Sequence, residues 1–213
     1  MDLLRRAARR LSLEELDEET LVSLRERARW EPKTGGETRP FPTPKHDDTF
    51  ALTRVYRGPD FRNVDETTAF AALNSLLSLK ISNHNRSDQS LGYAHGSVVR
   101  TVGGGTQFMI LMGQTDGVER ARRTLEGWDH TLEQLRNGEI TDDDIRDAIA
   151  GLLNELTERM TTAAELVSLY SGFQNLRLDA RALSGVIAAL KRMTPEDVRS
   201  IARKYLLAAE CPS

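Results

Sequence analysis

The chain has 213 residues, of which 39% are hydrophobic and 29% charged, a balance typical of a globular protein with a hydrophobic core. Its net charge of -3 argues against nucleic acid as a partner, because phosphate binding needs a concentrated basic surface. No apolar run is long enough to span a membrane, which excludes a transmembrane helix. The single cysteine, Cys211, forms neither an intrachain disulfide nor a cysteine metal cluster.

Residues 1–47 are predicted to form a helix followed by an extended connector. Four arginines among the first ten residues suggest contact with a membrane surface, but four glutamates follow directly, so a solvated helix of mixed charge is favoured. Ser12 and Glu15 form a capping box for a helix over residues 12–30. The connector, EPKTGGETRPFPTPKHDD, contains four of the seven prolines. No signal peptide is recognised in this region, so we expect a cytoplasmic protein.

The main domain is placed at residues 48–213 and starts with a strand and a helix. The strand, TFALTRVYRGPD, is rich in β-branched and aromatic residues, and we predict that Gly58-Pro59 ends it. Residues 65–80 are predicted to be helical, with an apolar side formed by Phe70, Leu73 and Leu77.

A β-hairpin is predicted next. Its arms are LGYAHGSVVRT and TQFMILMGQT, and residues 102–105 join them. The glycine run at this turn suggests a phosphate cradle, but it lacks the spacing of either nucleotide-binding motif and no helix follows it. A flexible hairpin loop is therefore favoured.

Beyond residue 116 the chain is predicted to be almost entirely helical. Thr141 with Asp144 caps one helix, and Thr194 followed by Pro195 starts the last one. In the first helix an apolar stripe suggests a coiled-coil seam, but its short length favours a helix packed on a sheet. The stripe consists of Val118, Ala121, Leu125, Trp128, Leu132 and Leu135. The buried face predicted for the second helix consists of Ile145, Ile149, Leu152, Leu153 and Leu156, and the third helix carries Leu166, Val167, Tyr170 and Phe173. Strands in one half and helices in the other predict an α+β fold, with a mostly antiparallel sheet covered on one face by several helices.

The four histidines do not form a recognisable catalytic or metal motif. Neither HExxH nor HxxEH occurs, so no two histidines have the helical spacing that lets both rings reach one zinc ion. His130 with Glu133 is only half of such a site, and His84 and His95 flank a polar segment in which their approach stays open. No nucleophilic triad has a local signature either. We find no complete catalytic site on this chain.

The polar segment between those two histidines carries a family resemblance. Its run RSDQSLGYA resembles the R-x-x-Q-x-L-G-Y-A segment of the insulinase/pitrilysin-like zinc metallopeptidases, the inverzincins, in the half that does not hold zinc. The pieces VYRGPD, LNSLLS, FMILMGQTDG and MTPEDVRSIARKYL are similar to that half in the same order, so that the resemblance covers residues 48–207.

The resemblance implies roles for two residues. In that family two homologous halves enclose a peptide, one holding zinc through HxxEH and the other supplying an Arg and a Tyr near the scissile bond. The matching residues are Arg86 and Tyr93, with Gln89, Leu91 and Gly92 as structural neighbours. Arginine has several donors for peptide carbonyls, and a tyrosine hydroxyl can donate to an oxygen that gains charge. The competing interpretation is that both residues only pack where the turn meets the strand.

The resemblance therefore predicts a non-catalytic, peptide-binding half of a zinc metallopeptidase. It would complete the active site of a separate HxxEH-bearing chain or domain, as one subunit of a heterodimer or as a fragment of a longer peptidase. No cofactor is expected on this chain, and zinc is expected on the partner. The alternative is a structural or interaction module, a degenerate scaffold subunit without a proteolytic role.

Overall fold

The computed structural model describes residues 49–88, 94–102, 105–175 and 181–207. The predicted N-terminal helix, the connector and the boundary between residues 47 and 48 lie outside these residues.

Three antiparallel strands form the sheet: β1 (Thr49–Asp60), β2 (Ala94–Thr101) and β3 (Thr106–Asp116). Their order is β1-β3-β2, so β3 is central and pairs with both neighbours. Ile110 of β3, for example, lies opposite Val55 of β1 and Val98 of β2. The predicted hairpin is present, because β2 and β3 are consecutive and antiparallel.

Strand β1 does not end where the sequence analysis placed its end. It continues through Gly58 and Pro59 to Asp60, with an irregular register after Arg57. The reason is a close contact, since a Cβ at Gly58 would lie 2.5 Å from a ring carbon of Phe70. Glycine therefore serves here to bring the strand against a buried aromatic ring, and it does not end the strand.

Six α-helices lie within the described residues. They are α1 (Val64–Ser82), α2 (Val118–Asn137), α3 (Asp142–Arg159), α4 (Ala163–Asn175), α5 (Arg181–Arg192) and α6 (Pro195–Ala202). Helix α1 continues into a π-helical turn, Asn83–Asp88, and α6 into another, Arg203–Leu207. Both predicted caps form complete capping boxes, at Thr141 for α3 and at Thr194 for α6.

Helix α1 forms the centre of the core. Phe70, Leu73 and Leu77 are fully buried, which confirms the predicted apolar side of this helix. They join one cluster with Leu111 of β3 and Trp128 of α2. Burying each of these large side chains contributes about 1.5–3 kcal/mol of transfer free energy.

Three of the apolar positions that the helical pattern picks out are exposed. Val118 is 72% exposed in the first turn of α2, and Val167 and Tyr170 of α4 are 66% and 38% exposed. A period of three to four residues identifies the apolar side of a helix, but the neighbouring elements decide how far along the helix that side is covered.

The described architecture is α+β, with helices over an antiparallel sheet. Inner side chains such as Leu52, Tyr56 and Met109 belong to the core, whereas on the other face Val55 and Met112 are 55% and 42% exposed. None of the helices described here has both the length and the apolar content needed to cross a membrane.

Candidate functional site

The two residues singled out by sequence lie between α1 and β2. Arg86 is part of the π-helical turn that continues α1, and its side chain lies outside the described residues. Tyr93 also lies outside them, one position before β2 begins at Ala94. What the structure describes is therefore the two elements that carry the segment from Arg86 to Tyr93.

The π-helical turn is anchored on helix α2. Asn85, the residue before Arg86, is 0% exposed, and its Nδ2 donates a hydrogen bond of 3.5 Å to the carbonyl oxygen of Thr124. Opposite it stands Gly127, where a Cβ would lie only 2.1 Å from Asn85 Oδ1. The carboxamide of Asn85 thus occupies the space that a side chain at position 127 would need.

A histidine pair adds a second contact between the turn and α2. The rings of His84 and His130 lie with their centroids 5.1 Å apart and their planes tilted by 38°. Sequence analysis had left open an approach between His84 and His95, and the ring contact that His84 makes in the structure is with His130. The turn is therefore held on α2 by two consecutive side chains, His84 and Asn85.

The strand that follows the segment, β2, is held in the sheet. Ala94 and His95 at the start of β2 pair with Gln114 and Gly113 of β3. Both ring nitrogens of His95 are buried without a hydrogen-bond partner in the described part of the chain, and burial lowers the pKa of this histidine. The ring lies close to Gly113, because a Cβ at that position would be 3.1 Å from Nδ1.

Helix α2 is itself fixed to the sheet near this place. Arg54 of β1 donates a hydrogen bond of 2.5 Å to Asp129, and its guanidinium lies 5.8 Å from the ring centre of Trp128. A buried tryptophan and a cross-element ion pair thus hold α2 against the strands. The π-helical turn therefore packs on a helix, α2, that is itself packed on the sheet.

The described residues offer no group of three or more His, Cys, Asp or Glu side chains suited to hold a metal ion. His130 with Glu133, the half site seen in the sequence, gains no third ligand among them. The residues present therefore do not fit a zinc ion, and no chemical step is assigned to a metal on this part of the chain.

Two residues of this site were missed by sequence analysis. Asn85 stands within the segment singled out, but a polar residue there is expected to be solvated. Gly127 was overlooked although glycine inside a helix costs about 1 kcal/mol relative to alanine, which is a signal that something requires it.

Solved peptidase structures share this fold. The inactive peptidase domain of a proposed zinc protease from Bordetella parapertussis is similar with a TM-score of 0.63 and 13% identity, over 76% of this chain and 88% of that one. The periplasmic protease PqqL from Escherichia coli matches with a TM-score of 0.62 and 17% identity, over 91% of this chain and 23% of that one. Pitrilysin matches with a TM-score of 0.57 and 17% identity, over 76% and 17% respectively.

The chain has the fold of an insulinase/pitrilysin-type peptidase domain. It spans most of the Bordetella domain but less than a quarter of PqqL and of pitrilysin, so it corresponds in length to a part of those longer proteins. No protein-family model and no curated protein sequence matches the chain. The fold predicted from the segment RSDQSLGYA and its neighbours is thereby confirmed.

Proposed function

We propose that this insulinase/pitrilysin-type domain is a non-catalytic half that binds peptide and completes the active site of an HxxEH-bearing chain or domain. Arg86 would bind carbonyl groups of the peptide, and the Tyr93 hydroxyl would donate to the oxygen that gains charge during attack on the scissile bond. The observation that carries the proposal is the anchoring, in a domain of this fold, of the two elements on either side of the segment: the π-helical turn Asn83–Asp88 and strand β2.

The fold supports the first part of the proposal. One of the similar structures is called an inactive peptidase domain, and the present chain spans 88% of it. An inactive peptidase domain of this fold thus has a solved structure of its own. By analogy, we infer that the present domain acts together with a second domain of the same type.

The anchoring of the segment supports the second part. A side chain that must meet a bound peptide needs a fixed backbone, because a displacement of about 1 Å can reduce turnover on the order of 100-fold. The turn that carries Arg86 is packed on α2, and the strand that follows Tyr93 pairs with β3. The described elements that precede and follow the segment are therefore both held by the rest of the domain.

The outer face of the sheet supports the presence of a partner. Large apolar side chains are exposed there, Val55 on β1 and Met112 on the adjacent β3. Neighbouring exposed apolar residues of this size are typical of surfaces that meet another protein or a peptide. In a two-domain peptidase this face would be turned towards the enclosed peptide.

The partner would hold the zinc ion. In that partner, the two histidines and the glutamate of an HxxEH helix would contribute to a catalytic zinc site, and the zinc would supply an activated water for attack on the peptide. The role proposed for this chain is to bind and orient the peptide. The cytoplasmic location expected from the sequence is part of the same proposal, and cell fractionation tests it.

The proposed function is tested by searching the neighbouring genes for an HxxEH-bearing chain and co-expressing it with this one. We expect the two chains to co-purify, zinc to be found with the partner, and a quenched fluorescent peptide pool to be cleaved only by the pair. Activity of the partner that does not change when this chain is omitted would contradict the proposal. A stable complex without any cleavage would favour the scaffold function.

A further inference from the structure

Asn85 is an unexpected residue at its position. It is fully buried, its Nδ2 makes one long hydrogen bond to Thr124 O, and its Oδ1 has no hydrogen-bond partner among the described residues. A buried amide oxygen without a partner destabilises the folded state. If the position only filled space, an apolar side chain would be better suited to it.

The local backbone is also unusual. Helix α1 changes from α-helical to π-helical geometry at Asn83, and the wider turn extends to Asp88. Such π-helical turns are rare and occur frequently at functional sites. Because Asn85 and Arg86 are adjacent, a side chain of Asn85 that is fixed in the core also fixes the backbone of Arg86.

Gly127 is the complementary feature on α2. A Cβ there would lie 2.1 Å from Asn85 Oδ1 and 2.9 Å from His84 Cδ2, both far inside van der Waals contact. Since Asn85 is fully buried, its carboxamide cannot move into solvent to make room. Glycine is the poorest helix former apart from proline, so its presence in the middle of α2 is explained by this contact.

We propose that Asn85 is a positioning residue. Packed against Gly127, it fixes the π-helical turn from which Arg86 reaches the peptide. The contact between Arg86 and a peptide rests on the proposed function. The contact between Asn85 and Gly127 lies within this chain, so its effect on the π-helical turn can be measured without a partner.

Hydrogen exchange of the isolated chain tests whether the contact between Asn85 and Gly127 fixes the π-helical turn. In Gly127→Ala the added methyl group displaces Asn85, and in Asn85→Leu the bond to Thr124 O is lost while a side chain with the same branching and number of heavy atoms remains. We expect the amides of residues 83–88 to exchange about tenfold faster in both variants, the scale of one hydrogen bond in a local opening equilibrium. Amides of β3 are expected to keep their rates.

The matched control is Gly151→Ala on α3, where a Cβ meets nothing within 4 Å. It makes the same substitution in a helix without a steric conflict, and exchange at residues 83–88 is expected to stay unchanged. Faster exchange throughout the domain in the Asn85 and Gly127 variants would overturn the inference, because it would show a general packing role. Unchanged exchange at residues 83–88 would overturn it as well.

Kinetics of the pair with its HxxEH-bearing partner test the consequence for peptide binding. For a quenched fluorescent peptide, kcat/KM should fall on the order of 100-fold in Asn85→Leu, with part of the loss in KM, as expected for a displaced binding side chain. Unchanged kcat/KM despite faster local exchange would overturn the role of Asn85. An inactive wild-type pair would overturn the proposed function alone, since hydrogen exchange of the isolated chain measures the contact between Asn85 and Gly127 independently.

Discussion

Tyr205 donates a hydrogen bond of 2.5 Å from its hydroxyl to Glu66 Oε2, which joins the last described turn of the chain to the first turn of α1. Lys204 donates to Oε1 of the same carboxylate at 2.7 Å. The ring of Tyr205 also lies edge-on to Phe70, with 5.7 Å between the ring centres. One tyrosine thus connects the C-terminal turn to the core through both a polar and an aromatic contact.

Tyr205→Phe should therefore destabilise the domain although the ring is kept. We expect the free energy of unfolding to fall by about 1 kcal/mol, the net contribution of one such hydrogen bond. Tyr170→Phe, which removes a hydroxyl from a 38% exposed side chain on α4, is the matched control and should change little. Urea unfolding of both variants measures the difference, and equal effects would contradict this account of Tyr205.

The effect of Tyr205→Phe should depend on pH. Hydrogen bonds from Lys204 and then from Tyr205 hold the pKa of Glu66 below its usual value of 4.5. A carboxyl whose pKa is lowered by folding stabilises the folded state above its unfolded pKa, and this contribution disappears as the pH falls through the folded pKa. The difference between wild type and variant should thus be largest near neutrality and shrink as the pH falls below 4.5. A difference that is constant over this range would contradict the ionised form of Glu66 as the acceptor.

Gly58→Ala should destabilise the contact between β1 and α1. The added methyl group would meet the ring of Phe70, which is fully buried. Overpacking of this kind costs about 1–3 kcal/mol. Gly185→Ala is the control, because a Cβ there meets only Val64 Cγ1 at an ordinary 3.7 Å. Thermal melts should show a clear decrease for Gly58→Ala alone, and an equal decrease in both would argue against the steric reason.

Local signals explain which parts of the fold could be predicted from sequence. The capping boxes at Thr141 and Thr194 are complete within four residues of chain, and the hairpin follows from two strand patterns around a glycine turn. Helix α5 was predicted only in the general sense that the chain beyond residue 116 is helical, and neither its start nor its end was predicted. The exposure of Val118 was not predictable, because it depends on where the neighbouring elements end.

The site was predictable only to the level of a segment. The run from Arg86 to Tyr93 could be recognised, because the order of residue types within it is specific. The packing contact between Asn85 and Gly127 joins residues 42 positions apart (127 − 85) on two different helices. A contact of that kind arises from tertiary packing, so it leaves in the sequence only a polar residue and a helical glycine, neither of which is specific alone.

His95 should make the domain less stable in mild acid. Burial lowers the pKa of its ring below the usual 6.5, so the unfolded chain takes up a proton at a higher pH than the folded one. Stability is therefore unaffected by this group well above pH 6.5 and falls as the pH drops below that value. His95→Gln removes the titrating ring, and urea unfolding at about pH 7 and about pH 5 should show a smaller loss in the variant than in wild type. An equal loss in both proteins would contradict the prediction.

Arg86→Ala should impair both peptide binding and turnover of the assembled peptidase. It removes contacts made before and during the reaction, so KM should rise and kcat should fall. Arg159→Ala is the matched control, since Arg159 is exposed in the last turn of α3 and has no role in the proposal. A normal KM and kcat for Arg86→Ala, together with a lower melting temperature, would show that Arg86 is a packing residue.

The central claim, that this domain acts on a peptide held by its partner, is tested most directly by turnover of the pair containing Tyr93→Phe. The variant lacks one hydroxyl, and kcat per folded molecule should fall on the order of 100-fold, as for loss of one donor to a developing oxyanion. Its melting temperature should stay that of the wild type. A variant that melts earlier but cleaves the quenched peptide at the wild-type rate would contradict the claim.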